Sequence, residues 1–323
     1  MGATKRKIDF IDKMTLPIFA ATMVWEHRVL KKRQLRELVD VDAVAPVDDG
    51  SPVPDPLVPL GYEKNDTAGS LGLLVGSILM AFALDGTYRK IHGFLFRHRL
   101  SNFGSRRGSI ITAMIVWDFL YYWNHRWMHR VRLFWADHAA HHSGRRYNLS
   151  TALRQSWNGY LTTWVYWPMP LLGFQYSSFV KARQLNLLYQ YWIHTEAIDR
   201  LPDWVEKIFN TPSHHRVHHG ANKQYIDKNY AGILIIWDRM FKTFEPEIRQ
   251  LQYGLTKNIR TNNPVKMAYG ELAQIAQDVA QADNFNERLR YVFAAPGWAP
   301  DVAAQELNES FGFRKLHGSV INW

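Results

Sequence analysis

Residues 110–129, IITAMIVWDFLYYWNHRWMH, run from an apolar stretch into two histidines that are four positions apart. Side chains four positions apart lie on the same face of an α-helix, one turn from each other. His125 and His129 are therefore expected to project together from the end of a largely apolar helix. Asp118 is the single charged residue in the stretch that precedes them.

Two further histidine motifs repeat this helical spacing downstream. HAAHH occupies 138–142 and HRVHH occupies 215–219, so each motif places three imidazoles within about one helical turn. Imidazole is a suitable ligand for iron, zinc, copper and nickel. The eight histidines of the three motifs exceed what one ion can hold. The spacing therefore predicts a site for two metal ions.

The number of motifs separates this pattern from ordinary surface histidines. Ten of the 14 histidines lie between His125 and His219. One pair at helical spacing would be explained as a solvated helix face. Three motifs beside apolar stretches favour metal binding, because histidines near a bilayer are costly without a role. The isolated histidines carry the opposite expectation and are predicted to be solvated: His27, His92, His98 and His317.

Composition points to a membrane protein. The 323 residues include no cysteine, which excludes disulfides, thiolate metal sites and cysteine nucleophiles. The net charge of +10 suggests an anionic partner, either nucleic acid or a membrane surface. The 13 tryptophans and 15 tyrosines favour a membrane, where such rings suit the interface. Nucleic acid is not expected, because the basic residues flank apolar segments instead of forming one face.

The apolar segments predict an all-α integral membrane bundle. Four of them are candidates for spanning helices: 67–84, 109–124, 157–174 and 176–194. We expect about four spanning helices, capped by a cytosolic histidine-rich di-metal helical domain. Arginines near the histidine motifs place that side in the cytosol, so the active site would face the cytosol. The basic segment 89–107 argues for the opposite orientation, and its side stays open.

The chain divides into three predicted regions. Residues 1–66 would form an N-terminal anchor helix, at Met14–Trp25, and a linker rich in proline and aspartate. Residues 67–250 would hold the membrane helices and the histidine motifs as the catalytic domain. Residues 251–323 would form a cytosolic C-terminal tail that contains one polar helix.

Several longer motifs resemble a known family. The histidine spacing on apolar helices resembles the fatty acid hydroxylase/sterol desaturase superfamily, whose members are membrane enzymes with a di-iron centre facing the cytosol. Within it, the likeness to the alkylglycerol monooxygenase family covers roughly residues 110–300. The motifs that carry it are DFLYYWNHRWMH (118–129), YNLSTALRQS (147–156), QYWIHTE (190–196), NTPSHHRVHHG (210–220) and DKNYAGILIIWDRMFKTFEPE (227–247).

This resemblance implies a reaction. Two iron ions would activate O2, with zinc able to replace iron in a purified sample. The enzyme would hydroxylate the carbon next to the ether oxygen of an alkylglycerol, giving a fatty aldehyde and a glycerol derivative. Electrons would come from tetrahydrobiopterin or another external reductant. The membrane lipid substrate would enter from the bilayer.

Two alternatives remain. One is a sterol or fatty acyl hydroxylase or desaturase of the same superfamily, supplied by a separate ferredoxin or cytochrome. The other, from a different class, is a non-catalytic metal-binding or metal-transporting membrane protein. That class predicts charged residues through the spans, and only Asp118 is of this kind.

Candidate site residues can be assigned to roles, and the histidines are assigned by motif matching with the family. Nine histidines would be metal ligands, with His214 a further candidate: His125, His129, His138, His141, His142, His194, His215, His218 and His219. Four residues would orient those ligands, because metal-bound histidines usually donate their second N–H to a carboxylate or carbonyl: Asp118, Asp137, Glu196 and Asn229. Three would line the cofactor or headgroup pocket: Asn148, Arg154 and Gln155.

Overall fold

The computed structural model describes residues 10–37, 60–104 and 107–300. All regular elements in these ranges are helices joined by loops and short 3₁₀ turns, so the predicted all-α class is confirmed. Most of the predicted linker and the end of the predicted tail lie outside the described residues. In chain order the helices are α1 (Phe10–Glu37), α2 (Lys64–Arg97), α3 (Arg107–Arg130), α4 (Arg132–His142), α5 (Pro168–Leu172), α6 (Tyr176–Ile193), α7 (Asp203–Ile208), α8 (Pro212–His219), α9 (Ile236–Met240), α10 (Pro264–Gln281) and α11 (Phe285–Phe293).

Helix α2 is the strongest candidate for a membrane span. Its 34 residues extend for about 50 Å at 1.5 Å per residue. Glu63 caps its first turn by accepting hydrogen bonds from the backbone N–H groups of Asn65 and Asp66. Large apolar side chains stay exposed along one face, as at Val75, Leu79 and Phe82. Of the helices described, this one alone is long and apolar enough to cross a bilayer, so the number of spans stays a prediction.

The segment 157–174 is not the spanning helix that the sequence predicts. It forms two of the short 3₁₀ turns and then α5. Pro168 and Pro170 lack backbone N–H donors and cannot continue a helix from the preceding turns. The buried side chain of Asn158 also donates to the carbonyls of Ala136 (3.2 Å) and Ala268 (2.6 Å), which holds the start of the segment against α4 and α10.

The other two predicted spans are helical. The segments 109–124 and 176–194 correspond to α3 and α6, which pack against each other. Trp117 of α3 stacks on Tyr166 with ring centroids 4.0 Å apart, and both rings belong to a buried apolar cluster between the two helices. This packing aligns the ends of α3 and α6 that carry His125 and His194.

Residues after 250 pack on the histidine-bearing part of the chain. Met267 and Ala268 of α10 contact Leu73 of α2 and Ala140 of α4 in one buried cluster. The approach of α10 to α2 needs glycine, because a Cβ at Gly72 would lie 2.9 Å from the Pro264 ring. The predicted boundary at residue 250 stays a prediction, and it crosses this interface.

Two ion pairs strengthen the contact between α4 and α10. Arg132, at the start of α4, is 8% exposed and lies 2.8 Å from Glu271 and 2.7 Å from Asp278. Its backbone N–H also donates to the carbonyl of Ala294, just after α11. Helix α4 is therefore held from the side opposite to its histidines.

Helix α1 contacts the loops that flank the histidines. The buried carboxylate of Glu26 accepts hydrogen bonds from the Leu149 N–H (2.8 Å), the Tyr62 hydroxyl and the Thr195 hydroxyl. Phe19 stacks on Tyr191 at 3.7 Å between ring centroids. The predicted anchor thus belongs to a helix that packs on the bundle, and its contact with lipid stays a prediction.

Candidate metal centre

Nine histidines converge where α3, α4 and α8 meet the end of α6. They form two groups, and within each group one nitrogen per imidazole lies within 4.8 Å of the others. The structure brings together all nine residues that the sequence analysis assigned as ligands. The first histidine group contains His125, His129, His138, His142 and His218. The second histidine group contains His141, His194, His215 and His219.

Each HxxHH motif is divided between the two groups. In α4, His138 and His142 belong to the first group and His141 to the second. In α8, His215 and His219 belong to the second group and His218 to the first. A helix turns by about 100° per residue, so side chains four apart differ by about 40° and those three apart by about 60° the other way. One short helix can therefore serve two adjacent sites.

Ring nitrogens approach closely within the first group. The Nε2 atoms of His125 and His138 lie 2.8 Å apart. The Nε2 atom of His142 lies 3.1 Å from those of His138 and His218. Two nitrogens bound to one ion at about 2.1 Å and a right angle would be about 3 Å apart, so these spacings fit a shared ion.

The second group has the same spacing. The Nε2 atom of His194 lies 3.1 Å from that of His141 and 2.9 Å from that of His215. The fourth member, His219, has a buried Nε2 atom with no hydrogen-bond partner. The same is true of the Nε2 atom of His129 in the first group. Buried nitrogens are rarely left unpaired, and a bound cation would satisfy both.

Backbone carbonyls decide which ring nitrogen is free. The Nδ1 atoms of His125, His194 and His218 lie 2.7, 2.6 and 3.0 Å from the carbonyls of Tyr230, Gln190 and Lys228. A carbonyl only accepts, so each Nδ1 carries the proton and each Nε2 presents a lone pair. Lone pairs that face one another repel unless a cation lies between them. The residues present therefore fit a pair of metal ions.

Burial keeps the imidazoles neutral. The pKa of His218 is lowered to about 4, chiefly by burial. The pKa values of His141 and His219 are also well below the usual range, first because of burial and then because neighbouring imidazoles repel a second positive charge. Neutral imidazole is the form that binds metal. The imidazoles of both groups are therefore able to bind cations at neutral pH.

Asn229 acts on a loop, not on a ligand ring. Its side-chain amide donates to the carbonyls of His214 (3.0 Å) and Glu245 (2.8 Å), and its oxygen accepts from the Glu245 N–H. Asp227 and Asn229 both have positive φ, 63° and 53°, a conformation that asparagine and aspartate tolerate better than most residues. This loop, 227–230, carries the two carbonyls that orient His125 and His218.

Asp118 also contacts a loop instead of the histidines. The sequence predicts that Asp118 orients a metal ligand. Its carboxylate instead accepts hydrogen bonds from the backbone of Ile233 and Leu234 and from the Trp237 indole, at 2.7–3.0 Å. Asn186 adds a fourth bond at 2.9 Å. Asp118 is seven residues before His125 and shares its face of α3 by helical spacing, but the loop after Tyr230 fills that face next to Asp118.

Two other predicted acidic residues have partners outside the histidine groups. Glu196 accepts from the Tyr253 hydroxyl at 3.0 Å, and burial raises its pKa to about 7. Tyr253 stacks on Tyr147, whose ring lies 5.1 Å from that of His219. Asp137 accepts from the Thr162 hydroxyl at 3.1 Å, and burial raises its pKa to about 6. Glu196 therefore reaches the second group through two tyrosines.

The three residues predicted to bind the cofactor are engaged by protein groups. The guanidinium of Arg154 is buried and donates to the Ala140 carbonyl (3.2 Å), Ser143 (2.7 Å) and Asp66 (3.0 Å), which ties the end of α4 to α2. Gln155 donates to the nearby Ala152 carbonyl (2.7 Å), and Asn148 donates to the carbonyl of Gly61, which is distant in the chain (2.8 Å). Their role in cofactor binding stays a prediction.

His214 lies outside both groups. Its Nε2 atom is 2.8 Å from the carboxylate of Glu206, which is itself buried. The sequence reasoning left its role open, because it adjoins the HRVHH motif. His214 immediately precedes the HRVHH motif in α8, and the helical turn of about 100° per residue directs its side chain away from both groups.

Arg216 was missed by the sequence analysis. It lies between two ligands in HRVHH and points away from them, contacting Glu247 at 2.7 Å. It also donates to the carbonyls of Thr195 (3.0 Å) and Ile198 (2.6 Å), in the loop after His194. An arginine inside a buried histidine motif was the available signal, because such a charge needs a specific partner.

The isolated histidines differ from one another. His27 and His98 are exposed, as predicted. The prediction is wrong for His92, which is 7% exposed and packs edge-on against Tyr176 and Phe179. The helix α6 covers it, which no local pattern indicates. His317 lies outside the described residues.

Comparisons with known proteins cover the part of the chain that carries the histidines. A model of the fatty acid hydroxylase family matches residues 110–243. Alkylglycerol monooxygenase from Homo sapiens is 46% identical over 198 residues, which are 61% of this chain and 44% of that protein. The same enzyme from Danio rerio is 38% identical over 269 residues, 74% of this chain and 60% of that protein. Ornithine lipid hydroxylase from Rhizobium tropici is 28% identical over 178 residues, 52% of this chain and 49% of that protein.

The chain spans about half the length of the curated relatives it matches. No solved structure gives a significant match. The family match includes every histidine of both groups, and helix α2 adds a candidate membrane segment. Residues 110–243 therefore belong to the fatty acid hydroxylase family.

Proposed function

We propose that this protein is a membrane di-iron monooxygenase that cleaves the ether bond of alkylglycerols. One oxygen atom of O2 enters the carbon next to the ether oxygen, and the other leaves as water. Two electrons and two protons complete the balance, supplied by tetrahydrobiopterin or another external reductant. The hydroxylated carbon is a hemiacetal, which separates into a fatty aldehyde and a glycerol derivative.

One observation carries the proposal. Nine imidazoles, seven of them buried and two partly exposed, form two adjacent groups inside the region that matches an oxygenase family. Two bound iron ions would supply the chemistry that activates O2 for attack on an unreactive C–H bond. The relatives with 38–50% identity are named alkylglycerol monooxygenases, which favours an ether lipid as substrate.

The residues of the chain have separate tasks in this reaction. The nine histidines would hold the ions without adding negative charge. The carbonyls of Lys228, Tyr230 and Gln190 keep three of the rings in the protonation state that binds metal. Burial of both groups excludes bulk water, which protects a strong oxidant from side reactions.

A membrane location supplies the substrate. The apolar face of α2 fits the lipid interior, and the histidines lie near the end of the bundle that contains the start of this helix. We place the histidine side in the cytosol, where soluble reductants are available. About four spans and a cytosolic active site remain part of this proposal.

The metal-transport alternative has less support. Transport through the spans needs polar groups that are free to bind a moving ion. Asp118 is the one acidic residue in α3, and four protein donors already occupy its carboxylate. A sterol or fatty acyl oxygenase supplied by a ferredoxin or cytochrome shares the same site and is separated from our proposal by its products.

The test is product analysis with the iron-loaded full chain in lipid, given an alkylglycerol, O2 and tetrahydrobiopterin. We expect fatty aldehyde only when all three are present. Iron bound at about two ions per chain without any aldehyde would contradict the ether-lipid substrate. Products from sterols or acyl lipids with a protein electron donor would then favour the alternative.

Two histidine variants serve as a matched pair in this assay. H141A removes a member of the second group and should abolish aldehyde formation and lower bound iron. H98A removes an exposed histidine at the far end of α2 and should leave both unchanged. Full iron content in H141A would remove His141 from the ligand set.

A further inference from the structure

The C-terminal end of α2, which lies far from the histidines, forms a positively charged surface. Along the helix, Arg97 is about 40 Å from Gly69, which packs against α10. No aspartate or glutamate occurs between Gly86 and Trp117. The exposed cations of this basic end are Arg89, Lys90, Arg97 and Arg99.

The nearest carboxylate is already engaged. Asp85 lies 2.7 Å from Arg89 and accepts from the Tyr176 hydroxyl at 2.9 Å. It offsets one positive charge of the basic end. The remaining cations therefore give this surface a net positive charge, since nothing acidic follows on α2 or in the next loop.

Exposed apolar side chains lie among these cations. Phe94, Leu100 and Phe103 are 54%, 85% and 40% exposed. The guanidinium groups of Arg97 and Arg99 lie 5.6 and 4.6 Å from the rings of Phe94 and Phe96. Cations beside exposed apolar groups are typical of segments at a membrane surface, where the apolar parts insert and the charges meet headgroups.

A surface cavity of about 260 Å³ opens beside the basic end. One wall carries Arg89, Gln175 and the buried His92, whose Nε2 atom has no hydrogen-bond partner. Tyr176 supplies an aromatic wall, with its ring 4.6 Å from the Arg89 guanidinium. This combination of a cation, an amide and aromatic surface suits a phosphate joined to an apolar group.

We propose that the basic end of α2 binds the headgroup of an anionic phospholipid in the bilayer around α2. The phosphate lies at the cavity, near Arg89, with Arg97 and Arg99 adding attraction. The acyl chains follow the exposed apolar face of α2, which includes Leu79 and Phe82. Such binding fixes this end of the bundle at a membrane surface, and it does not depend on oxidation at the histidines.

The test uses the full chain in detergent micelles, titrated with short-chain phosphatidylglycerol or phosphatidylcholine. Bound lipid is counted by native mass spectrometry. The variants R89Q/R97Q and K257Q/R260Q each remove two positive charges, from the basic end and from an exposed loop before α10. One cation near a membrane surface contributes roughly fivefold in affinity.

We expect the native chain to prefer phosphatidylglycerol and R89Q/R97Q to bind it about tenfold more weakly, because Asp85 already offsets part of the Arg89 charge. K257Q/R260Q should match the native chain. Arg89 also holds Asp85, so R97Q/R99Q, which changes two exposed side chains, provides a second test that should weaken binding at least about fivefold.

Equal binding of the two lipids by the native chain would overturn the proposal. So would an equal loss in K257Q/R260Q, which would indicate attraction to overall charge. Displacement of phosphatidylglycerol by millimolar inorganic phosphate would identify a site for soluble anions and overturn the assignment to a lipid.

Discussion

The two histidine groups are neighbours, but the protein orients them differently. In the first group, His125 and His218 both donate to carbonyls of one loop, 227–230. In the second group, His194 donates to the Gln190 carbonyl of its own helix, while the Nδ1 atoms of His141 and His215 have no hydrogen-bond partner. The first group thus depends on a distant loop, and the second depends more on the packing of the rings.

The sharpest test of this division uses two adjacent residues. His218 and His219 follow each other in α8 but belong to different groups. We expect H218A and H219A each to lose about one of two bound ions and essentially all oxygenase activity. Metal analysis of the iron-loaded variants checks this. Loss of both ions in both variants would mean that the groups bind metal as one unit.

A second test weakens only the first group. N229G keeps the left-handed backbone, which glycine accepts freely, but removes three hydrogen bonds of the 227–230 loop. Residues that orient metal ligands typically change affinity by about 10–100-fold. We expect the affinity for one ion per chain to fall by this factor in N229G. Competition with a chelator measures that affinity.

The control for this variant is K242G. Lys242 also has a left-handed backbone, with φ 59°, and its side chain is exposed. The variant K242G should leave the affinity for both ions unchanged. A similar loss in K242G, or an equal loss for both ions in N229G, would contradict a specific role for the loop.

The smallest expected effect concerns the second group. Y253F removes the hydroxyl that donates to Glu196 but keeps the ring that stacks on Tyr147. We expect the affinity for the ion of the second group to fall by less than about tenfold, since Tyr253 acts through two other side chains. The free energy of unfolding should fall by about 1 kcal/mol, the usual contribution of one hydrogen bond.

Chelator competition measures the affinity for the second ion, and thermal unfolding measures the change in the free energy of unfolding. Y269F, which removes the hydroxyl of a tyrosine in α10 that is 36% exposed, is the matched control and should change neither. If Y253F bound both ions as the native chain does, the tyrosine contact would serve the fold alone.

Local patterns were enough to find most of the histidines. Spacing in HxxxH and HxxHH selected eight residues, because helical periodicity fixes which side chains share a face. The family resemblance added His194, and the structure brings all nine together. Local patterns failed where partners come from afar. Sequence reasoning singled out Asp118 and Asn229 as residues that orient metal ligands, but both hold backbone loops, and nothing near them in the chain indicates those partners.

Spans were harder to predict for the same reason. The apolar content of 157–174 predicted a helix, yet Asn158 bonds to two distant carbonyls and the prolines prevent a continuous helix. The boundary at residue 250 stays a prediction, and no local pattern indicates that α10 packs against α2 and α4. Apolar composition does not distinguish a surface that meets lipid from one that meets another helix.

Residue types, helical spacing and the longer motifs were sufficient to predict the helical class, the family resemblance and the clustered histidines. The division of each HxxHH motif between two groups, and the carbonyls that orient the rings, could be seen only in the folded chain. The tertiary structure also placed Arg154 and Arg216 in the scaffold and buried His92 beneath α6. Those features depend on contacts between residues far apart in the chain, which local spacing cannot encode.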